Sequence, residues 1–288
     1  MDATTSTRRW ITVAVMLALA LAAFLPAALR AGFLNFDDNF YFGPDNPEFR
    51  SGFAAVLDPA HPIANAYLPV AHAALWTEWW LFGGHPFGPH LVSLLLQASV
   101  AVLFARLLLR LGVGSVAAHL AGALFAVHPA LAESVSWVSG QKELLAGLFV
   151  FAALHATVGF AQRGGAWRLP LALLAAALAM YSKATAVVLP LLALLICAVS
   201  GGRRSRWALP LLLAAVVAPI ALQHQRIAAA EGTLVPGGLG QRLLQVPGAF
   251  AHYLSTTLWP RGLNVLYPEV ATLERFRDGW TIGLVALA

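Results

Sequence analysis

Asp37 and Asp38 stand side by side in 31-AGFLNFDDNFYFGPDN-46, between aromatic residues and just past a long apolar run. A carboxylate so near apolar surroundings is partly desolvated, which makes it a better proton acceptor. Two neighbouring carboxylates also divide roles: one takes a proton while the other orients a substrate or steadies developing positive charge. The competing reading is a solvated loop start that caps a short helix. A second polar block, 126-AVHPALAESVSWVSGQKELLAGLF-149, carries His128, Glu133, Lys142 and Glu143. Charged groups at a membrane boundary are costly and face a cavity or a partner. A third block, 180-MYSKATAVVLP-190, carries Ser182 and Lys183. Of the 18 basic residues only Lys142 and Lys183 are lysines. An ammonium is a compact point charge suited to a phosphate, and snorkelling to the interface is the alternative account.

Other chemistries find less support. His85 and His90 in 84-GHPFGPH-90 lack the close Cys/His spacing of structural zinc sites, so a divalent metal is an alternative that is not favoured. No Gly-rich phosphate loop and no G-x-G-x-x-G follows a strand, which argues against a nucleotide as direct substrate; no cofactor is expected. The single cysteine, Cys197, excludes an internal disulfide.

The elements that must hold these residues are membrane helices. The chain is 59% hydrophobic and 11% charged, against about 25% charged in soluble domains. Apolar runs long enough to span a bilayer recur at about 10–29, 89–109, 113–130, 141–161, 167–182, 184–200 and 207–224. The first run exceeds the apolar core of a secretory signal and reads as an uncleaved helix. Arg8, Arg9, Arg106, Arg110, Arg163, Arg168, Arg203, Arg204 and Arg206 fall on alternate connections. By the positive-inside rule those connections and the N-terminus are cytoplasmic, so the polar blocks face outward. Membrane orientation thus explains the basic pI without nucleic acid. The fold class expected is all-α: a polytopic transmembrane bundle whose first outer loop, about 30–88, is ordered and holds interfacial helices, one of them within 67–84 and ended by Gly83, Gly84 and Pro86. The segment 225–278 is expected at the outer surface, with 241–260 lying along it rather than forming an eighth span. The start of a further span at 279–288 suggests a truncated polypeptide.

Taken in order, LNFDDNFY, GGHPFGPHLVSLLLQ, FAVHPALAESVSWVSGQKELL, YSKATAVVLP and YLSTTLWPRGLNVLYP resemble the membrane part of the transmembrane and tetratricopeptide-repeat O-mannosyltransferases and their bacterial relatives, of the GT-C class. The resemblance covers about 30–270. It implies an inverting glycosyltransferase that moves a mannose-like monosaccharide from a polyprenyl-phosphate sugar to a protein hydroxyl or a glycolipid at the outer face of a cell inner membrane. It implies Asp38 or Asp37 as base, with Asp38 slightly preferred, and Lys183 and Lys142 as donor-phosphate ligands. His128, Glu133, Glu143, Ser182 and Tyr267 are the implied substrate-binding residues. Three positions depart from the pattern: Leu131 where relatives carry His, Gln141 where they often carry Arg, and Ala184 where Glu usually follows Ser-Lys. A transporter or flippase for lipid-linked sugars and a non-catalytic scaffold are the competing functions.

Overall fold

The computed structural model describes residues 3–34, 36–43, 47–199, 208–234 and 239–263. They are helical, with no strand among them beyond one isolated bridge between Ile63 and Ala66. Helix α1 (Ala3–Ala28) is followed by four short elements of the first extended loop: α2 (Asp38–Phe42), α3 (Pro47–Arg50), α4 (Phe53–Val56) and the longer α5 (Pro69–Phe82). Then come α6 (Phe87–Arg110), α7 (Ser115–Ala126), the single-turn α8 (Ala132–Ser136), α9 (Gln141–Arg163), α10 (Arg168–Ser182), α11 (Leu189–Val199), α12 (Ala208–Ala230) and α13 (Leu239–Leu258).

Among the described residues, four stretches are long and apolar enough to cross a membrane: Trp10–Ala28, Phe87–Arg110, Val138–Arg163 and Ala208–Ala230. The protein is therefore a multi-pass, all-α membrane protein. The runs at 113–130, 167–182 and 184–200 form the shorter apolar helices α7, α10 and α11. Local chemistry sets their ends. Pro129 disfavours helical backbone at His128, just past α7. Lys183 is extended (φ −160°, ψ 137°), which separates α10 from the 3₁₀ turn Ala184–Val188 and α11.

Small residues let the helices approach closely, as lipid-embedded packing requires. On α1, Met16, Ala20, Phe24 and Ala28 recur every four residues and are buried. Opposite them, a Cβ on Gly122 would stand 2.7 Å from the Ala105 methyl, so only glycine fits. The α9–α10 interface, the most extensive in the bundle, is built from Ala153, Ala156, Ala172, Ala175, Ala176 and Ala179, all buried.

The first extended loop is ordered around an aromatic core. Tyr41, Phe42, Phe49, Val56, Ile63, Leu75 and Val138 pack together, Phe33 stacks on Phe42 with centroids 4.5 Å apart, and Trp76 donates its indole N–H to the Phe49 carbonyl at 3.0 Å. Helix α5 ends at Gly83, which takes the left-handed conformation (φ 60°) open to glycine. Its buried residues Ala71, His72, Leu75 and Glu78 form one face, so α5 packs into the bundle as well as bordering the membrane.

The chain divides into two compact units, residues 1–128 with 134–233 and residues 129–133 with 234–288. In the second, α13 carries Leu243, Val246, Phe250, Leu254 and Leu258 exposed at intervals of three and four residues. That stripe suits a helix lying along a membrane surface. The expected span at 279–288 lies outside the described residues.

Candidate functional site

The two adjacent carboxylates have opposite environments. Asp38 is fully buried. Its Oδ2 accepts the Leu34 backbone N–H at 2.9 Å, and its Oδ1 accepts the Ser139 backbone N–H at 2.8 Å and the Ser139 hydroxyl at 2.5 Å. Those bonds tie the first loop to the 3₁₀ turn Val138–Gly140 that leads into α9. Asp37, one residue earlier, leaves 41% of its side chain exposed while its Oδ2 lies 3.3 Å from Lys142 Nζ. One turn of backbone explains the split. Asp38 opens α2 and faces inward, and its neighbour, about 100° around the axis, points away.

Lys142 sits in the first turn of α9 with its side chain only 9% exposed. Besides Asp37 it donates to the Tyr41 hydroxyl at 3.3 Å and lies 5.3 Å from the centre of that ring. The Tyr41 hydroxyl in turn lies 3.4 Å from His72 Nε2. Burial, then the Lys142 charge, pushes the His72 pKa down to about 3. Its imidazole is therefore neutral, and Nε2 shares a hydrogen bond with the Tyr41 hydroxyl. Burial and the charges of Asp37 and Asp38 push the Tyr41 phenol up, so it stays protonated. The result is a connected chain: Lys142 donates to Asp37 and to Tyr41, and the Tyr41 hydroxyl is hydrogen-bonded to His72.

The flanking residues of α9 point elsewhere. Glu143 Oε1 lies 3.1 Å from Lys183 Nζ, the two side chains being 39% and 33% exposed, and Oε2 accepts the Thr185 hydroxyl at 3.3 Å. Gln141 is buried and donates to Glu78 Oε2 at 3.3 Å, to the Pro89 carbonyl at 3.4 Å and to the Ser93 hydroxyl at 3.3 Å. Burial raises the Glu78 carboxyl to about 8 against the opposing effect of the Gln141 bond. Three consecutive residues at the start of α9 thus organise three polar contacts.

Of the residues expected from the sequence, Asp37, Asp38, Lys142, Glu143 and Lys183 come together through this turn. Ser182 does not present its hydroxyl: it is fully buried and donates to the Leu178 carbonyl of its own helix at 2.8 Å. His128 is half-buried just beyond α7. Glu133 is exposed at the start of α8 and belongs to the second unit. Tyr267 lies outside the described residues. Tyr41, His72, Ser139 and Glu78 complete the cluster, and sequence reasoning did not select them. The first and third lie inside the quoted blocks LNFDDNFY and FAVHPALAESVSWVSGQKELL, a signal that could have found those two. Among the described residues no group of three or more His, Cys, Asp or Glu side chains is arranged to hold a metal ion.

A multi-pass helical bundle whose first extended loop presents paired carboxylates beside lysines at helix ends has the architecture of the GT-C class of membrane glycosyltransferases. The chain belongs to the dolichyl-phosphate-mannose-protein mannosyltransferase family, whose sequence model matches residues 60–224, more than half of it. It is similar to the protein O-mannosyl-transferase tmtc2 of Xenopus laevis, at 33% identity over 112 residues, which is 38% of this chain and 13% of that protein. The match thus spans a small part of that relative's length. No solved structure matches the chain. The family match takes in Lys142, Glu143 and Lys183 and begins after Asp37 and Asp38.

Proposed function

We propose that the protein transfers a mannose-like monosaccharide from a polyprenyl-phosphate donor to the hydroxyl of a protein or glycolipid acceptor, at the outer face of the membrane and with inversion at the anomeric carbon. Asp37 takes the acceptor's proton as the acceptor oxygen attacks the anomeric carbon. The bond from that carbon to the phosphate oxygen breaks, and polyprenyl phosphate leaves with the electron pair. Lys183, a third exposed and paired only with a half-open glutamate, meets the phosphate charge. Lys142, held by Tyr41, aims the Asp37 carboxylate. The phosphate leaving group supplies activation, so the reaction as proposed uses neither nucleotide nor resident metal.

The observation that carries this reading is the division between the carboxylates. Every oxygen of Asp38 is already occupied by donors, whereas Asp37 is open. The sequence-based preference for Asp38 as base is accordingly reversed, with Asp38 assigned to holding the loop. The test is transfer of labelled mannose from polyprenyl-phosphate mannose in membranes carrying Asp37→Asn. Losing a positioned base costs about 10²–10⁴-fold in rate. Transfer at the parent rate in a properly inserted Asp37→Asn variant would rule the assignment out.

A further inference from the structure

Helix α12 is apolar until its last third, where Gln223 and His224 interrupt it. Counted from Ala208, they lie about 22–24 Å along the axis, inside a span whose apolar layer is about 30 Å deep. Leu209, Leu213, Val217 and Ile220 form the buried stripe of this helix, and His224 continues it at the same spacing of three or four residues. Ionisable residues within spans are costly, face the bundle interior or a cavity, and mark ligand pathways.

The elements packed against this end of α12 surround the pair with aromatic and hydroxyl groups. Tyr181, near the end of α10, donates its hydroxyl to Gln223 Oε1 at 3.2 Å, and its ring centre lies 6.3 Å from that of His224. Tyr67, just ahead of α5, meets Tyr181 edge-on with centroids 6.1 Å apart, and its hydroxyl donates to the Leu57 carbonyl at 3.1 Å. All four residues are half-buried. Among the described residues nothing hydrogen-bonds His224 Nε2, although that atom is shielded from solvent. Lys183, paired with Glu143, follows Tyr181 by two positions, and the turn Ala184–Val188 beyond it packs against α12. The bond between Tyr181 and Gln223 is enough to pin α10 to α12. It gives no reason for an imidazole beside it.

We propose that Gln223 and His224, with Tyr181 and Tyr67, form the subsite for the sugar of the polyprenyl-phosphate donor; the assignment rests on the donor proposed above. Phenol and amide groups both donate and accept, and an imidazole does so through its two nitrogens. A sugar hydroxyl likewise does both, whereas an ionised phosphate accepts and is matched by Lys183. The aromatic rings add apolar faces for the C–H groups of the sugar ring. The sugar is bonded directly to its phosphate, so its subsite has to adjoin the phosphate's cation, as Tyr181 adjoins Lys183. The polyprenyl tail would gain nothing from hydrogen-bonding groups that are costly to bury in an apolar span.

The experiment compares binding of polyprenyl-phosphate mannose and of bare polyprenyl phosphate to the full chain in neutral detergent, read by native mass spectrometry. The parent should hold the mannosyl lipid at least tenfold more tightly. His224→Phe keeps a ring against Tyr181 and removes the hydrogen bond. It should weaken binding of the mannosyl lipid about tenfold and leave that of polyprenyl phosphate unchanged. Lys183→Gln acts on the shared phosphate and should weaken both alike. If His224→Phe does not insert, Gln223→Met decides in its place, with the same selective loss expected. No loss in the inserted variant, or an equal loss of both lipids, would reduce the pair to helix packing and overturn the subsite, while the phosphate reading is judged separately by Lys183→Gln. A parent that holds both lipids equally would also overturn it. A parent that binds neither lipid would overturn the donor reading and the subsite with it.

Discussion

Asp38→Asn tests the division of labour most sharply, because it should damage the fold rather than the chemistry. Asparagine keeps the shape of the side chain but removes its charge and turns one acceptor oxygen into a donor. That NH₂ must then face either the Leu34 N–H or the two Ser139 donors, all of which now point at a buried carboxylate. Hydrogen bonds to charged groups are worth about 1.5–3 kcal/mol each, and a buried donor left unpaired carries its own penalty. One side of the arrangement survives, so the expected loss is about 3 kcal/mol. On the scale of about 2–4 °C per kcal/mol for a chain of this size, that is a fall of roughly 6–12 °C in Tm. Ser139→Ala removes one of the bonds and should cost about half as much. Asp37→Asn breaks a pair whose carboxylate is 41% exposed, so solvent screening holds its stability cost below about 1 kcal/mol. Thermal unfolding in detergent, followed by tryptophan fluorescence alongside mannosyl transfer, separates the cases. An Asp38→Asn variant that melts with the parent and has lost turnover, beside an active Asp37→Asn, would show that the roles are exchanged.

Lys183→Gln should insert normally and bind the polyprenyl-phosphate donor about tenfold more weakly, as expected for one charge-assisted bond; unchanged donor affinity would move the phosphate to Lys142. Glu78, raised from 4.5 to about 8, keeps its proton in the folded protein across that window while the unfolded chain has released it, so its burial destabilises the fold progressively as pH rises from about 4.5 to 8. Glu78→Gln should therefore be more stable at pH 7, by up to about 3 kcal/mol, and melting curves from pH 5 to 8 should lose the corresponding slope. In a Cys197→Ser background, a cysteine at Ser51 should react with a membrane-impermeant thiol reagent in intact cells and one at Gln162 should not; the reverse pattern would invert the proposed orientation.

The helices were legible because their signals are local. Apolar runs, Pro129 after α7 and the Gly83-Gly84 stop after α5 act within a few residues. The acidic pair and both lysines were legible because charge is conspicuous in a chain only 11% charged. What the sequence could not reveal is who meets whom. Asp38 and Ser139 are 101 residues apart, and no periodicity encodes that bond. His72 reads as one more apolar-face residue of α5 until Tyr41 is placed against it. Ser182 drew attention through its neighbour Lys183, yet the helix turn that exposes Lys183 directs the serine hydroxyl back to its own backbone.

The first turn of α9 gathers these threads, and Gln141 shows how charge is rationed there. Successive residues on a helix diverge by about 100°, so Gln141, Lys142 and Glu143 reach Glu78, Asp37 and Lys183 respectively. An arginine at 141, as the family resemblance leads one to expect, would give Glu78 a fixed cation and hold it ionised. A neutral amide leaves the carboxyl in an apolar setting without a countercharge, and burial then keeps it protonated. The exchange removes one positive and one negative charge together and leaves the local balance unchanged. It also removes a cation that could have turned toward an incoming phosphate. Under the proposed function that task falls to the two lysines, each already facing a carboxylate. Of the two, Lys183 is the more exposed, and a phosphate approaching from solvent would meet it first.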